Sequence, residues 1–488
     1  MFNYKSKKQL SLFEFKTGFE GELDPKNRWI KLSESIDWDR LVEVYAQKMH
    51  PKQGARSIDG RIVLGALLIK HIENLSDRGT ISAIQENPYM QFFLGLESFT
   101  FKPVFDPSLF VYIRKRLGKE EFEKMNQVII DKALNRKSDK DDEQDSDQSS
   151  NQNKGKVQLD ATVADAEVNY PTDIKLLNDC REKAEQIIDY FYETYALGKK
   201  PRTYRRVAKK EFLSISKNKN VSKSKLRKAK RKQLGYLKRD FGYINNLLEN
   251  NLVNFRDGSM YRYWLVIQQV YQQQKTMFDN KVNRVDNRII SIHQPHVRPI
   301  VRGKSGRKVE FGAKINLQLQ SGYASIDQIS FNAFNEGICL EQQVQNYRKS
   351  NGHFPELIQA DKIYLNRENR AWMKQNGIRH TGQPLGRPKK QKLSKFERQK
   401  QKKECNERNQ IEGFFGTAKR KYALNNIKAK KANTSESWIY AIILSMNILK
   451  LSKDIFWQIF YTLKSFKFSF QTQILIKKFH FQTQFEIS

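Results

Sequence analysis

The stretch ERNQIEGFFGTAKRKYALNNIKAK, residues 407 to 430, sets Arg408, Glu412 and Lys419 at an R-x3-E-x6-K spacing. Read as a helix, Arg408, Glu412, Phe415, Lys419 and Tyr422 follow one another at steps of four and three and share one face. One carboxylate is then flanked by fixed cations, a turn before it and two turns after it. Such a face suits an acid that holds magnesium while the cations neutralise a phosphodiester. Arg408 and Glu412 also read as a plain i,i+4 surface pair in the less favourable order, worth a few tenths of a kcal/mol. The rest of the chain decides between the two.

Two further acids stand on strand-like segments upstream. PELIQADKIY (355–364) reads as a short buried strand that delivers Asp361 at its end, before a helix in ENRAWMKQNG. KVQLDATVADAEV (156–168) alternates and is β-rich, a strand carrying Asp160. Between them VEFGAKINLQLQ and GYASIDQISFNAF form a hairpin turning near Ser321-Gly322, and NEGICLEQQVQNYRKS is a helix. An Asp on one strand and an Asp ending another can meet at one sheet edge, and an adjacent helix brings Glu412. Three carboxylates suffice for two magnesium ions about 4 Å apart across a scissile phosphate.

From Ile174 to about Arg288 the chain reads as helical and very basic, in KKPRTYRRVAKK (199–210) and KNKNVSKSKLRKAKRKQ (217–233). Aromatics are interleaved at Tyr190, Tyr192, Tyr195, Tyr204, Tyr236, Tyr243, Tyr261, Tyr263 and Trp264. A charge run is usually a solvated face, but an excess of one sign favours a phosphate-tracking surface. PLGRPKKQKLSKFERQKQKK (384–403) reads as a basic loop running into the helix of Glu412. WIYAIILSMNILKL (438–451) reads as a helix of about 14 residues beneath the sheet, too short to span a membrane.

Residues 27 to 135 read as helical. RIVLGALLIKHIENL carries an apolar stripe at Ile62, Leu64, Leu67, Leu68, Ile72 and Leu75, and Asp106-Pro107 looks like an N-cap and first helical position opening DPSLFVYIRKRLG. With Arg114, Lys115 and Arg116 at the last helix, these are either a DNA-reading module or an ordinary bundle. KSDKDDEQDSDQSSNQNKG, at 137 to 155, is a polar, flexible linker. The expected division is a helical N-terminal DNA-binding domain at 1–136, the linker at 137–155, a catalytic domain at 156–455 with a helical basic insertion at 174–290, and a tail at 456–488.

The 488 residues carry a formal net charge of +35. That balance points to nucleic acid, with an anionic membrane surface as the other partner it allows. No apolar run reaches the roughly 18 residues of a membrane span, and MFNYKSKKQLSLFEFK lacks a signal-peptide core. Cys180, Cys339 and Cys405 are isolated, and His293 and His296 fall in a Pro-broken loop. A zinc site is not expected from them. The expected compartment is a reducing cytosol.

Taken together, LDATVADAEVNYPTD around Asp160, RPIVRGKSGRKVEFGAKI before the hairpin, PELIQADKIYLNRENRAWMKQNGI around Asp361, PLGRP at 384–388 and RNQIEGFFGTAKRKYALNNIKAK around Glu412 resemble the insertion-sequence DDE transposases of the IS-five type, related to the IS-four type. The resemblance covers most of residues 10 to 450. It implies an α/β fold with an RNase H-like mixed sheet. It also implies that Asp160, Asp361 and Glu412 are catalytic acids holding Mg2+, for which Mn2+ can substitute, with Arg408 and Lys419 assisting. The implied activity is cleavage at the ends of an insertion sequence and transfer of the freed 3′-hydroxyl into target DNA. The implied partners are double-stranded DNA, as transposon ends and target, and a second subunit or more on paired ends. Two departures stand out. Related transposases place a Tyr three residues before the Arg, where this chain has Cys405, and some carry their insert between the second Asp and the Glu. The alternatives are an RNase H-like nuclease that does not join, and an inactive DNA-binding protein.

Among competing acids, Asp165 falls on the opposite strand face from Asp160, Asp173 suits an N-cap, and Glu404 and Glu407 lie off the Arg408–Glu412–Lys419 face. Lys362 and Tyr364 divide evenly between DNA contact and packing.

Overall fold

The computed structural model describes residues 16, 22–50, 56–134, 153–218, 220–301, 309–382 and 394–485, with side chains described to residue 458. Most of the expected linker (137–152), the PLGRP segment and residues 302–308 lie outside the described residues.

The helices before the sheet are α1 (Arg28–Ser35), α2 (Trp38–Ala46), α3 (Gly60–Ile72), α4 (Asp77–Glu86), α5 (Pro88–Phe93), α6 (Leu109–Arg116) and α7 (Lys119–Ala133). Polar residues start several of them by accepting from the backbone: Asn27, Asp37, Asp59, Ser76 and Asn87 each cap a helix. Asp106 caps no helix. Its carboxylate accepts from the Ser108 N–H, and α6 begins two residues past Pro107. α3 is buried nearly all round, Lys70 and His71 included, where the sequence predicts a stripe. The reason is that α3 is packed between other helices, so it has no solvent face.

A mixed sheet has β1 (Lys156–Asp165) at its centre. β1 pairs antiparallel with β3 (Val309–Gln320) and parallel with β5 (Leu357–Ala360), which pairs parallel with β6 (Arg379–His380). β2 (Arg298–Val301) and β4 (Tyr323–Ser330) pair with successive halves of the outer edge of β3. The β3–β4 hairpin turns at Ser321-Gly322, both with left-handed backbone.

α12 (Leu340–Asn351) and α13 (Arg367–Gln375) cover one face of the sheet, where Leu340, Val344 and Met373 pack on Val157, Leu159 and Ile358. α14 (Lys395–Glu407), α15 (Asn409–Lys421) and α16 (Ala432–Phe485) follow. Residues 395–407 are helix where the sequence reading has a loop; Ser394 and Glu397 close a capping box at its start. α16 runs for 54 residues rather than about 14, because no Gly or Pro interrupts the chain from 432 to 485. Among the described residues no helix is long and apolar enough to cross a membrane.

The buried side chains of the N-terminal helices continue without a break into those of β3, β4, α15 and α16. Asn126 of α7 and Asn447 of α16 both donate to the Ala324 carbonyl of β4, at 2.9 and 2.7 Å. The N-terminal helices and the sheet therefore share one core and are not set apart from each other. The insertion does have its own. α8 (Asp173–Thr194), α9 (Arg205–Ser216), α10 (Lys223–Glu249) and α11 (Gly258–Asp279) enclose Leu177, Ile187, Phe191, Leu237, Ile244 and Ile267.

Candidate active site

Strand register brings the two aspartates together. Leu159 of β1 pairs with Ala360 of β5, so Asp160 and Asp361 are the next residues on neighbouring parallel chains, about 4.8 Å apart in backbone. The Ala161 N–H donates to Asp160 Oδ1 and the Lys362 N–H to Asp361 Oδ1, each at 2.8 Å. Burial pushes the Asp160 carboxyl up to about 6; Glu336 and Asp361 push the same way, while the Ala161 N–H and Arg408 oppose them.

Glu336 is a site acid that the sequence reading misses. It begins a short 3₁₀ turn, Glu336–Cys339, packed against the turn Lys362–Tyr364 that follows Asp361. Asn369 Nδ2 ties the two turns together, donating to the Gly337 and Tyr364 carbonyls at 2.7 Å each. A side chain at Gly337 would meet the Ile363 carbonyl at 2.5 Å, so glycine permits the close approach. Lys314 Nζ stands 2.8 Å from Glu336. The one available signal was the Asn-Glu-Gly turn after the hairpin.

α15 docks through Ile411, Phe415 and Ala418, leaving Glu412 on its first turn 55 % exposed and paired with Arg408 at 3.0 Å. The surface ion pair and the approach to the acids thus coexist, since Arg408 also acts on Asp160. Lys419 reaches elsewhere, 3.8 Å from Glu310 of β3. Among the described residues no three His, Cys, Asp or Glu are grouped closely enough to hold a metal ion. Asp160 and Asp361 are assembled; Glu412 is held by Arg408.

Asp165 lies on the opposite face of β1 from Asp160. Thr172, not Asp173, caps α8, and Asp173 instead pairs with Lys230 and Arg288. Glu404 and Glu407 pair with Arg379 and Lys156, both at 2.9 Å. Tyr364 is fully buried and donates to Asn316 Oδ1 at 2.6 Å, so packing accounts for it, whereas Lys362 is exposed. His293 bonds Tyr263, and His296 lies edge-on to Phe331. Cys405 reaches the Thr381 carbonyl at 3.7 Å.

In the insertion, acids are taken up by ion pairs: Asp189 with Arg205, Glu211 with Lys232, Asp173 with Lys230. Arg206, Lys209, Lys210 and Lys217 remain exposed along one side of α9 and its C-cap. The aromatics mostly serve the core. Trp264 is buried, and Tyr190, Tyr192, Tyr195, Tyr243 and Tyr263 pack against it and its neighbours, while Tyr204 stays exposed between Arg202 and Arg239.

A family model described as a transposase DDE domain matches residues 358–449, a span that includes Asp361, Arg408, Glu412 and Lys419. A second, described as a transposase domain (DUF772), matches residues 18–116, the N-terminal helices through α6. The chain is similar to an uncharacterized protein, ORF8 in the nfe locus, of Rhizobium meliloti, with 26% identity over 162 residues, 33% of this chain and 73% of that one. No solved structure matches it. Transposase models thus match the chain on both sides of the strand that carries Asp160, which supports its identity as an insertion-sequence transposase.

Proposed function

We propose that this transposase cleaves DNA at the ends of its insertion sequence and joins the freed 3′-hydroxyl to target DNA at one site built on Asp160, Asp361 and Glu412. The observation that carries the reading is the side-by-side placement of Asp160, midway along β1, and Asp361, just past the end of its parallel neighbour β5, with the helix of Glu412 docked on the same sheet. A six-stranded sheet in which β2, β4 and β1 each pair antiparallel with β3 while β1, β5 and β6 pair parallel supports an RNase H-like core. The donor set fits a hard divalent cation: oxygen ligands, and a carboxyl at Asp160 raised by burial and by like charges that a cation would relieve. Asp160, Asp361 and Glu412 would hold it, Glu412 by turning from Arg408. When bound, Mg2+ or Mn2+ supplies Lewis-acid activation of an in-line displacement at phosphorus.

The chain's own residues do the rest. Arg408, released from Glu412, neutralises the phosphate beside Asp160. Lys419, two turns further along α15, serves the DNA backbone away from the reacting phosphorus. The exposed cations of α9 and α10 hold the duplex. Two ends must be held together before joining, so the working species is a dimer or larger on paired ends.

The test uses duplex DNA carrying the sequences that flank the gene. The full chain is expected to nick and then join it with magnesium or manganese, and Asp160→Asn, Asp361→Asn and Glu412→Gln to stop both while leaving DNA binding largely intact. Nicking without joining would make it a nuclease; binding without nicking in the parent chain would make it an inactive DNA-binding protein.

A further inference from the structure

Gln158 and Gln359 are buried amides, 6 % and 1 % exposed. They stand opposite each other across the parallel β1–β5 ladder. Each lies two residues before an acid, Gln158 before Asp160 and Gln359 before Asp361, so all four share one sheet face. Gln158 Nε2 donates to the Glu407 carbonyl at 2.8 Å, to Gln359 Oε1 at 3.1 Å and to Gln410 Oε1 at 3.3 Å. Gln359 Nε2 donates to the Glu404 carbonyl at 2.7 Å and to Glu407 Oε2 at 3.3 Å.

The two accepting carbonyls belong to the last turn of α14, which ends at Glu407. Carbonyls there lack helical partners and must find others. The sheet supplies them, and Lys156 adds an ion pair to Glu407 at 2.9 Å. The next residue, Arg408, joins α14 to α15, and Glu412 follows one turn later. The amide pair therefore fixes the height and rotation of this junction over the rung of the sheet where Asp160 and Asp361 stand. An apolar pair would serve burial equally well but would set no position along the strand.

We propose that Gln158 and Gln359 are positioning residues that cap α14 from the sheet and thereby place Arg408 and Glu412 over Asp160 and Asp361. The proposal rests on the reading of those acids as a metal site. Gln158→Met and Gln359→Met keep length and burial and remove the amide donors. Manganese binding by the full chain, measured by calorimetry without DNA, is expected to weaken about 10- to 100-fold in each variant, the usual loss when a partner behind a ligand is removed. Because the effect runs through the helix of Glu412, neither substitution weakens binding further in a Glu412→Gln background, whereas a general loss of stability would add to it. A variant with a parent-like circular dichroism spectrum and parent-like manganese affinity overturns the proposal, and so does an additive loss in the Glu412→Gln background. Should one methionine variant fail to fold, the other and Gln359→Glu, which keeps the shape but carries no amide donor, give the same decision. If Asp160→Asn and Asp361→Asn bind manganese as the parent does, the metal reading has failed and takes the proposal with it. That outcome is distinct from failure of the glutamines alone.

Discussion

Replacing Arg206, Lys209, Lys210 and Lys217 together by Gln removes four exposed cations from one side of α9 and its C-cap. None of the four forms an ion pair among the described residues, so the change costs little internal bonding. Each phosphate contact contributes about 0.9 to the slope of log affinity against log salt, so four contacts contribute up to roughly 3.6. Over a fourfold rise in salt each contact is worth roughly 3.5-fold in affinity, and four together roughly 150-fold. The assay is fluorescence anisotropy with a random duplex, titrated at several salt concentrations from about 50 to about 200 mM. The parent should lose affinity steeply, and the variant should start weaker and lose it much less. The control is Lys230→Gln with Lys232→Gln, whose ammonium groups are engaged by Asp173 and Glu211. That pair should lower the melting temperature and leave the salt slope nearly unchanged. A variant slope equal to the parent's, or a control that flattens it as much, would refute the division of the insertion into a phosphate-facing side and an internally paired one.

Asn447→Leu keeps the branched outline of the side chain but strips the Ala324 N–H and the Asn126 amide oxygen of buried partners at 3.0 and 2.7 Å; chemical denaturation should show a loss on the order of 3 kcal/mol, and a loss well under 1 kcal/mol would mean that α16 does not fasten the N-terminal helices to the sheet. Asp240, inside the insertion, is raised from its ordinary 3.8 to about 7, by burial first and then by Glu185. The folded state thus holds this proton more tightly than the unfolded chain, so its contribution to stability is complete below about pH 4 and is lost as pH rises toward 7. The thermal midpoint should fall over that window, and Asp240→Asn should remove that part of the fall; an unchanged pH dependence in the variant would place the charge elsewhere.

The meeting of Asp160 with Asp361 is legible in the sequence because each sits on a short β-rich run, and the order of the runs leaves few ways to lay them in one sheet. The hairpin is legible for the same reason, with Ser321-Gly322 marking its turn. Glu336 is not, since an acid in a turn has no periodicity and its closeness to Asp160 comes from the packing of two turns. Gln158 and Gln359 read as ordinary strand residues until the end of α14 lies across them. The role of the tyrosines interleaved in the insertion is not legible, because their spacing beside lysines is the same whether the rings face DNA or a helical core; α8, α10 and α11 supply the core. Lys419 shares a helical face with Glu412, yet two turns of helix carry it to Glu310 instead.

The central claim is that Asp160, Asp361 and Glu412 hold metal together, and a change of ligand tests it most directly. Cysteine at each position in turn replaces a hard oxygen donor by a soft thiolate, a poor ligand for magnesium and a more tolerable one for manganese. Cleavage of end-containing DNA by Asp160→Cys, Asp361→Cys and Glu412→Cys should be absent with magnesium and return in part with manganese. A folded variant that cleaves normally with magnesium, or three folded variants that manganese fails to revive while it supports the parent chain, would contradict the assignment.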